Sequence, residues 1–143
     1  MDKTQRKFLA DLQSIYNQSK SVNRGCMCPH CKSKPIFSHV FTRNIILKPI
    51  CPDSKIYLFE PQNLVNIEKD DMLHYSPRGL KEAFGFNGFC SFHDNSVFAD
   101  IEPKHGVVDW SNIRSQYLLS YRSICREAFV NRVTRDVIWH QIN

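Results

Sequence analysis

The sequence predicts an α+β fold in which a small metal-centred core sits between an N-terminal helix and a long C-terminal helix. Three observations carry this expectation. Cys28-Pro29-His30-Cys31 and Cys90-Ser91-Phe92-His93 are two pairs of metal-binding side chains with the same C-x2-ligand spacing. Residues 2–20 and 111–142 repeat apolar side chains at three- and four-residue steps, the helical period. Between them, the runs from Pro35 to Phe41 and from Lys55 to Glu60 are rich in β-branched and aromatic residues and are bounded by prolines, as short strands are. The chain therefore divides into an N-terminal amphipathic helix (1–20), a metal-centred core (21–110) and a C-terminal helix (111–143) that packs on the same domain or docks on a partner.

Composition bounds the class. With 143 residues the chain fits one domain, or one domain with an appended helix. Hydrophobic residues make up 42% and charged residues 23%, the balance of an ordinary soluble globular protein. No segment approaches the roughly 20 apolar residues of a membrane span. The opening MDKTQRKFLADL holds no apolar signal core, so secretion is not indicated and a cytoplasmic location is expected. In that setting the six cysteines suit metal ligation or free thiols better than disulfides. A net charge of +5 permits binding to nucleic acid without requiring it.

Taken in order, Phe8, Leu9, Leu12, Ile15 and Tyr16 form the stripe of the first helix, with Lys3, Arg6 and Lys7 off it. Ser21 to Gly25 is a polar break into the first cysteine pair. The strand through Ser38-His39 follows, and Pro49, Pro52 and Pro61 punctuate the approach to and exit from the second strand. Residues 62–78 are polar, and Ser76-Pro77-Arg78-Gly79 reads as loop. Leu80 to Phe84 suits one helical turn, and Gly85-Phe86-Asn87-Gly88 reads as a tight turn. Asp94 to Ala99 begins a short helix whose first turn is suited to an acid. Ser111 is the expected cap of the last helix, whose stripe runs through Ile113, Tyr117, Leu118, Tyr121, Ile124, Cys125, Ala128, Phe129, Val133 and Val137. That helix meets no stop signal, which suits continuation into further chain or pairing with a partner.

Cys28, Cys31, Cys90 and His93 make a Cys3His set, a common closed structural zinc site. Cys26, two residues before Cys28, offers the same donor and is an alternative to it. His30 inside the loop is expected to face solvent, Cys51 to be a loop thiol and Cys125 a buried apolar residue.

The succession of cysteine pair, strand with histidine, insertion, second ligand pair and helix resembles the HNH, or ββα-metal (His-Me finger), nuclease group. The resemblance covers roughly residues 26–102 and rests on Cys28/Cys31, Ser38-His39, Phe89-Cys90-Ser91-Phe92-His93-Asp94 and Ile101-Glu102. It is similar to bacterial proteins with an HNH-like zinc centre that are associated with defence against phage. The resemblance implies a ββα-metal core and a metal-dependent endonuclease that hydrolyses phosphodiester bonds of DNA, or of RNA. His39 would be the general base, since a neutral imidazole accepts a proton from water near neutral pH. Asp94 stands where the group places a ligand for a catalytic Mg2+ or Mn2+, and Asn87 would be the motif's middle residue. Asn44 and Asn95 offer the same amide. The group commonly has an acid before the base histidine, where this chain has Ser38. Lys32, Lys34, Arg43 and Lys48 flank the centre and are candidate phosphate contacts.

Each of these residues also has a plain structural reading. His39 would be a strand histidine bonded to a nearby carbonyl, Asp94 a helix-start carboxylate, and Glu102 a surface or ion-pair residue. The corresponding function is a non-catalytic zinc module that binds nucleic acid or, through the C-terminal helix, a protein.

Overall fold

The computed structural model describes residues 2–51, 53–61, 73–103 and 107–142. The polar stretch 62–72 and His105 lie outside them, as does the side chain of His74. The described residues form a mixture of helices and small sheets in the order α1 (Lys3–Ser21), β1 (Ile36–His39), a π-helical turn (Arg43–Leu47), α2 (Lys48–Ile50), β2 (Lys55–Pro61), β3 (Leu73–Gly79), β4 (Gly85–Phe89), α3 (Ser91–Val97), a 3-10 turn (Ala99–Ile101) and α4 (Ile113–Ile142). The sheets are two-stranded, β1 with β4 and β2 with β3. No helix among the described residues is long and apolar enough to cross a membrane.

The chain forms two compact units. One comprises Asn23–Ile56 with Gly79–Val130 and contains both ligand pairs. Its sheet pairs β1 antiparallel to β4, with Phe37 opposite Asn87, Ser38 opposite Phe86 and His39 opposite Gly85, and an irregularity between Ile36 and Phe37. Strand side chains alternate between faces, and directly opposite residues share one. Ser38, Val40 and Phe86 therefore turn inward, all buried, while Phe37, His39 and Asn87 occupy the opposite, more accessible face. The inward face meets an aromatic core in which Phe89 stands edge-on to Phe98 at 4.9 Å and Phe86 lies 6.0 Å from Phe129. Complete burial of each such ring contributes about 1.5–3 kcal/mol.

Strand β4 corrects the tight turn expected at Gly85–Gly88. The reversal lies just before it, at Phe84 with φ 56°, and the two glycines are strand residues covered by rings. A Cβ on Gly85 would stand 1.9 Å from the Phe37 ring, and one on Gly88 would stand 2.1 Å from the Phe86 ring. Gly85→Ala should therefore push the Phe37 ring off β4 and lower stability by about 1–3 kcal/mol, measured by urea unfolding. An unchanged midpoint would mean that Phe37 gives way freely. Residues 73–79 are likewise strand rather than loop, with Pro77 inside it.

The other unit comprises residues 1–22, 57–78 and 131–143. Helix α1 starts with a capping box: Asp2 Oδ1 accepts the Gln5 N–H at 2.7 Å, and Gln5 Oε1 accepts the Asp2 N–H at 3.0 Å. Its Ser19 hydroxyl is buried and donates to Asp136 Oδ2 at 3.0 Å.

Helix α4 runs through both units. Its cap is Asn112, whose Oδ1 accepts the Arg114 N–H at 2.9 Å; the Ser111 hydroxyl, expected there, donates to Asp109 instead. The buried seam is Ser115, Leu118, Arg122, Cys125, Phe129 and Val133, a clean three- and four-residue repeat. Ile113, Tyr117 and Ile124, counted in the apolar stripe from sequence, are 64–81% exposed.

Candidate metal centre

Two backbone features bring the donors together. The segment after α1 folds on itself, the Cys26 N–H donating to Ser33 O at 3.0 Å, and is laced to β4 by the Met27 N–H donating to Gly88 O at 2.8 Å. Strand β4 then runs directly into α3, with Cys90 as its N-cap residue and His93 in the first turn. The donor atoms of Cys26, Cys31, Cys90 and His93 all lie within 4.8 Å of one another. His93 Nδ1 is 3.4 Å from Cys26 Sγ and 3.3 Å from Cys90 Sγ, and the Cys31 and Cys90 sulfurs are 3.9 Å apart. Zinc bonds of about 2.3 Å to sulfur and about 2.0 Å to nitrogen set tetrahedral donors about 3.5–3.8 Å apart. The three separations match those edges closely, so three thiols and an imidazole nitrogen fit a zinc ion. Four protein ligands would fill a tetrahedral coordination shell, as they do in structural zinc sites. A zinc bound here would tie the loop before β1 to the start of α3.

The fourth donor is Cys26, where the C-x2-C spacing pointed to Cys28. Cys26 Sγ accepts the Cys90 N–H at 3.3 Å, which holds it between Cys90 and His93. Cys28 stands beside this group without belonging to it. Its thiol is pushed up to about 11 by burial and by the neighbouring Cys26. The Cys31 thiol is drawn down to about 6 by hydrogen bonds from the backbone and side chain of Ser33. His30, in the loop between Cys28 and Cys31, is exposed with φ 62°.

The residues named for catalysis are not members of this cluster. His39 is half-buried, and its Nε2 is 2.9 Å from Lys81 O. A carbonyl only accepts, so Nε2 carries the proton and Nδ1 of the neutral ring bears the lone pair. The Phe37 ring stands edge-on to His39 at 5.3 Å. Asn87 shares their face. Ser38 points the other way and is 3% exposed, its Oγ without a hydrogen-bond partner among the described residues. An acid at position 38 would thus enter the core rather than join His39.

Asp94 is buried, and its Oδ1 accepts from Arg122 Nη2 at 2.7 Å. Arg122 Nη1 donates to Glu102, and the guanidinium carbon lies 4.5 Å over the Phe98 ring. One oxygen of this carboxylate is thus engaged by a buried arginine, and a hard Mg2+ or Mn2+ would need several oxygen ligands. Among the described residues, the Cys26–Cys31–Cys90–His93 group is the cluster of three or more metal-binding side chains, and it contains neither His39 nor Asp94. Lys32, Lys34, Arg43 and Lys48 are all exposed.

Sequence reasoning missed Arg122. A signal was available: a charged residue on the apolar seam of a helix needs acidic partners, and Asp94 and Glu102 were both in view. No protein family, curated protein or solved structure matches this chain.

Proposed function

We propose that this chain is an HNH-like, zinc-stabilised module that binds nucleic acid without a catalytic divalent ion. The observation that carries the reading is the Asp94–Arg122 ion pair. The position that would hold the ion is spent on fixing α3 to α4, with Arg122 1% exposed. The order β1, β4, α3 around a Cys3His cluster supports the HNH-like part. The net charge of +5 and the exposed Lys32, Lys34, Arg43 and Lys48 support the nucleic-acid part. Defence against phage rests on the sequence resemblance alone.

Binding would be carried by phosphate contacts, so it should weaken steeply with salt as counterions are released. Titrating labelled duplex and single-stranded DNA and RNA at several salt concentrations should give a linear log–log dependence. Lys32→Ala/Lys34→Ala should shallow the slope by about two. Absence of binding at low salt, or binding indifferent to salt, would defeat the reading.

One observation favours a second reading, phosphodiester hydrolysis. The carbonyl of Lys81 fixes the His39 tautomer and leaves Nδ1 free to take a proton from water. Incubation with DNA and Mn2+ separates the two readings. Cleavage by the natural chain that vanishes in His39→Ala, with zinc content unchanged, would establish the nuclease; intact DNA in both supports the binding module.

A further inference from the structure

We propose that Cys26 and Cys28 share one coordination position of the metal centre, so that five donors serve four places. The inference rests on the reading of the cluster as a zinc site.

The first ground is proximity. Cys26 completes the cluster with Cys31, Cys90 and His93. Cys28 is half-buried, two residues beyond Cys26 and three before Cys31, and lies outside the group as it stands. The second ground is the loop. Cys28 and Cys31 are ends of a tight turn in which the Cys31 N–H donates to Cys28 O at 3.2 Å and His30 takes up φ 62°. Short C-x2-C loops of this kind place both sulfurs on one ion. Cys31 therefore has two candidate partners, Cys28 through its own turn and Cys26 through the fold of the segment from Cys26 to Ser33.

Chemistry does not separate the two candidates. Both are thiolates when bound, and zinc has no electronic preference that would distinguish their directions. The segment carrying Cys28 is held on either side, by the Met27 N–H to Gly88 O and the Cys26 N–H to Ser33 O, so exchange of the two sulfurs would be confined to the turn between them. The Cys90 N–H bonded to Cys26 at 3.3 Å remains available to that sulfur whether or not it holds the metal. The thiol not on the metal at a given moment stays at the rim of the site.

The test uses the full chain. Zinc content is measured for the natural chain and for Cys26→Ser, Cys28→Ser, Cys26→Ser/Cys28→Ser and Cys31→Ser. Cobalt spectra of the same proteins report the number of thiolate ligands. Both single Cys26 and Cys28 variants should keep stoichiometric metal and a three-thiolate spectrum, while the double variant and Cys31→Ser lose metal. Independently, iodoacetamide applied to the zinc-loaded natural chain should label Cys26 and Cys28 each in part and spare Cys31 and Cys90. Loss of metal or of folding in only one of the two single variants would overturn the proposal. So would labelling confined to one of the two residues. A natural chain that binds no zinc at all would instead overturn the zinc reading, and the proposal with it.

Discussion

Cys90→Ala, or removal of zinc by a chelator, should unfold the unit built on the β1–β4 ribbon. Cys90 serves this unit in three ways. Its sulfur lies 3.9 Å from Cys31 and 3.3 Å from His93 Nδ1, and its N–H holds Cys26 Sγ. Its carbonyl accepts the Asp94 N–H at 2.8 Å, the first turn of α3. A two-stranded ribbon is marginal alone in water, and here the two strands are separated by a long insertion rather than joined by a short hairpin turn. Zinc bound by zinc-finger peptides contributes about 10–16 kcal/mol at pH 7. A domain's whole stability is of similar size, about 5–15 kcal/mol. Loss of one ligand should therefore remove folding itself rather than trim it. Near-UV circular dichroism should collapse in Cys90→Ala. In the natural chain it should collapse with chelator and return on adding zinc. A thermal midpoint indifferent to chelator would refute a structural metal.

The elements with a strong period were legible in the residues. Helices α1 and α4 fall where apolar spacing placed them, and the strand through Ser38-His39 and the strand from Lys55 fall in the runs of β-branched and aromatic residues. What escaped was decided by contacts between distant segments. Gly85 and Gly88 carry the composition of a turn, yet they are strand residues because Phe37 and Phe86 need the space a Cβ would fill. Spacing showed that cysteines and a histidine gather, but Cys26 and Cys28 differ only in how the loop before β1 folds back on Ser33 and Gly88. The exposure of Ile113, Tyr117 and Ile124 reflects a narrow buried seam on α4 that a count of apolar positions overstates. Ser38 shows the same limit from the other side. As a neighbour of His39 in sequence it suggested a missing active-site acid, but strand alternation sends the two side chains to opposite faces.

Arg122 supplies the other large expected effect. Its side chain is 1% exposed, donates to Asp94 and Glu102, and lies over Phe98. An arginine stays charged at any working pH, so it cannot escape burial by losing its proton, and the two acids are what make the burial tolerable. Arg122→Ala would leave the Asp94 carboxylate, 12% exposed, without its counter-charge and open a cavity above Phe98. Breaking a buried pair in this way costs about 3–5 kcal/mol. Glu102 reaches solvent at 34% exposure, so Glu102→Gln should cost much less. Arg114→Ala is the surface comparison: its pair with Asp100 is 69% and 46% exposed and should contribute about 1 kcal/mol or less. In the double variant Arg122→Met/Asp94→Asn neither charge remains, the methionine fills most of the space over Phe98, and much of the lost stability should return. The same proteins test whether Asp94 serves a metal. If its role is the ion pair, Mn2+ leaves the thermal midpoint of the zinc-loaded natural chain where it was. A midpoint that rises with Mn2+ in the natural chain but not in Asp94→Asn would show that the carboxylate leaves Arg122 for the ion, and the nuclease reading would then displace the binding module.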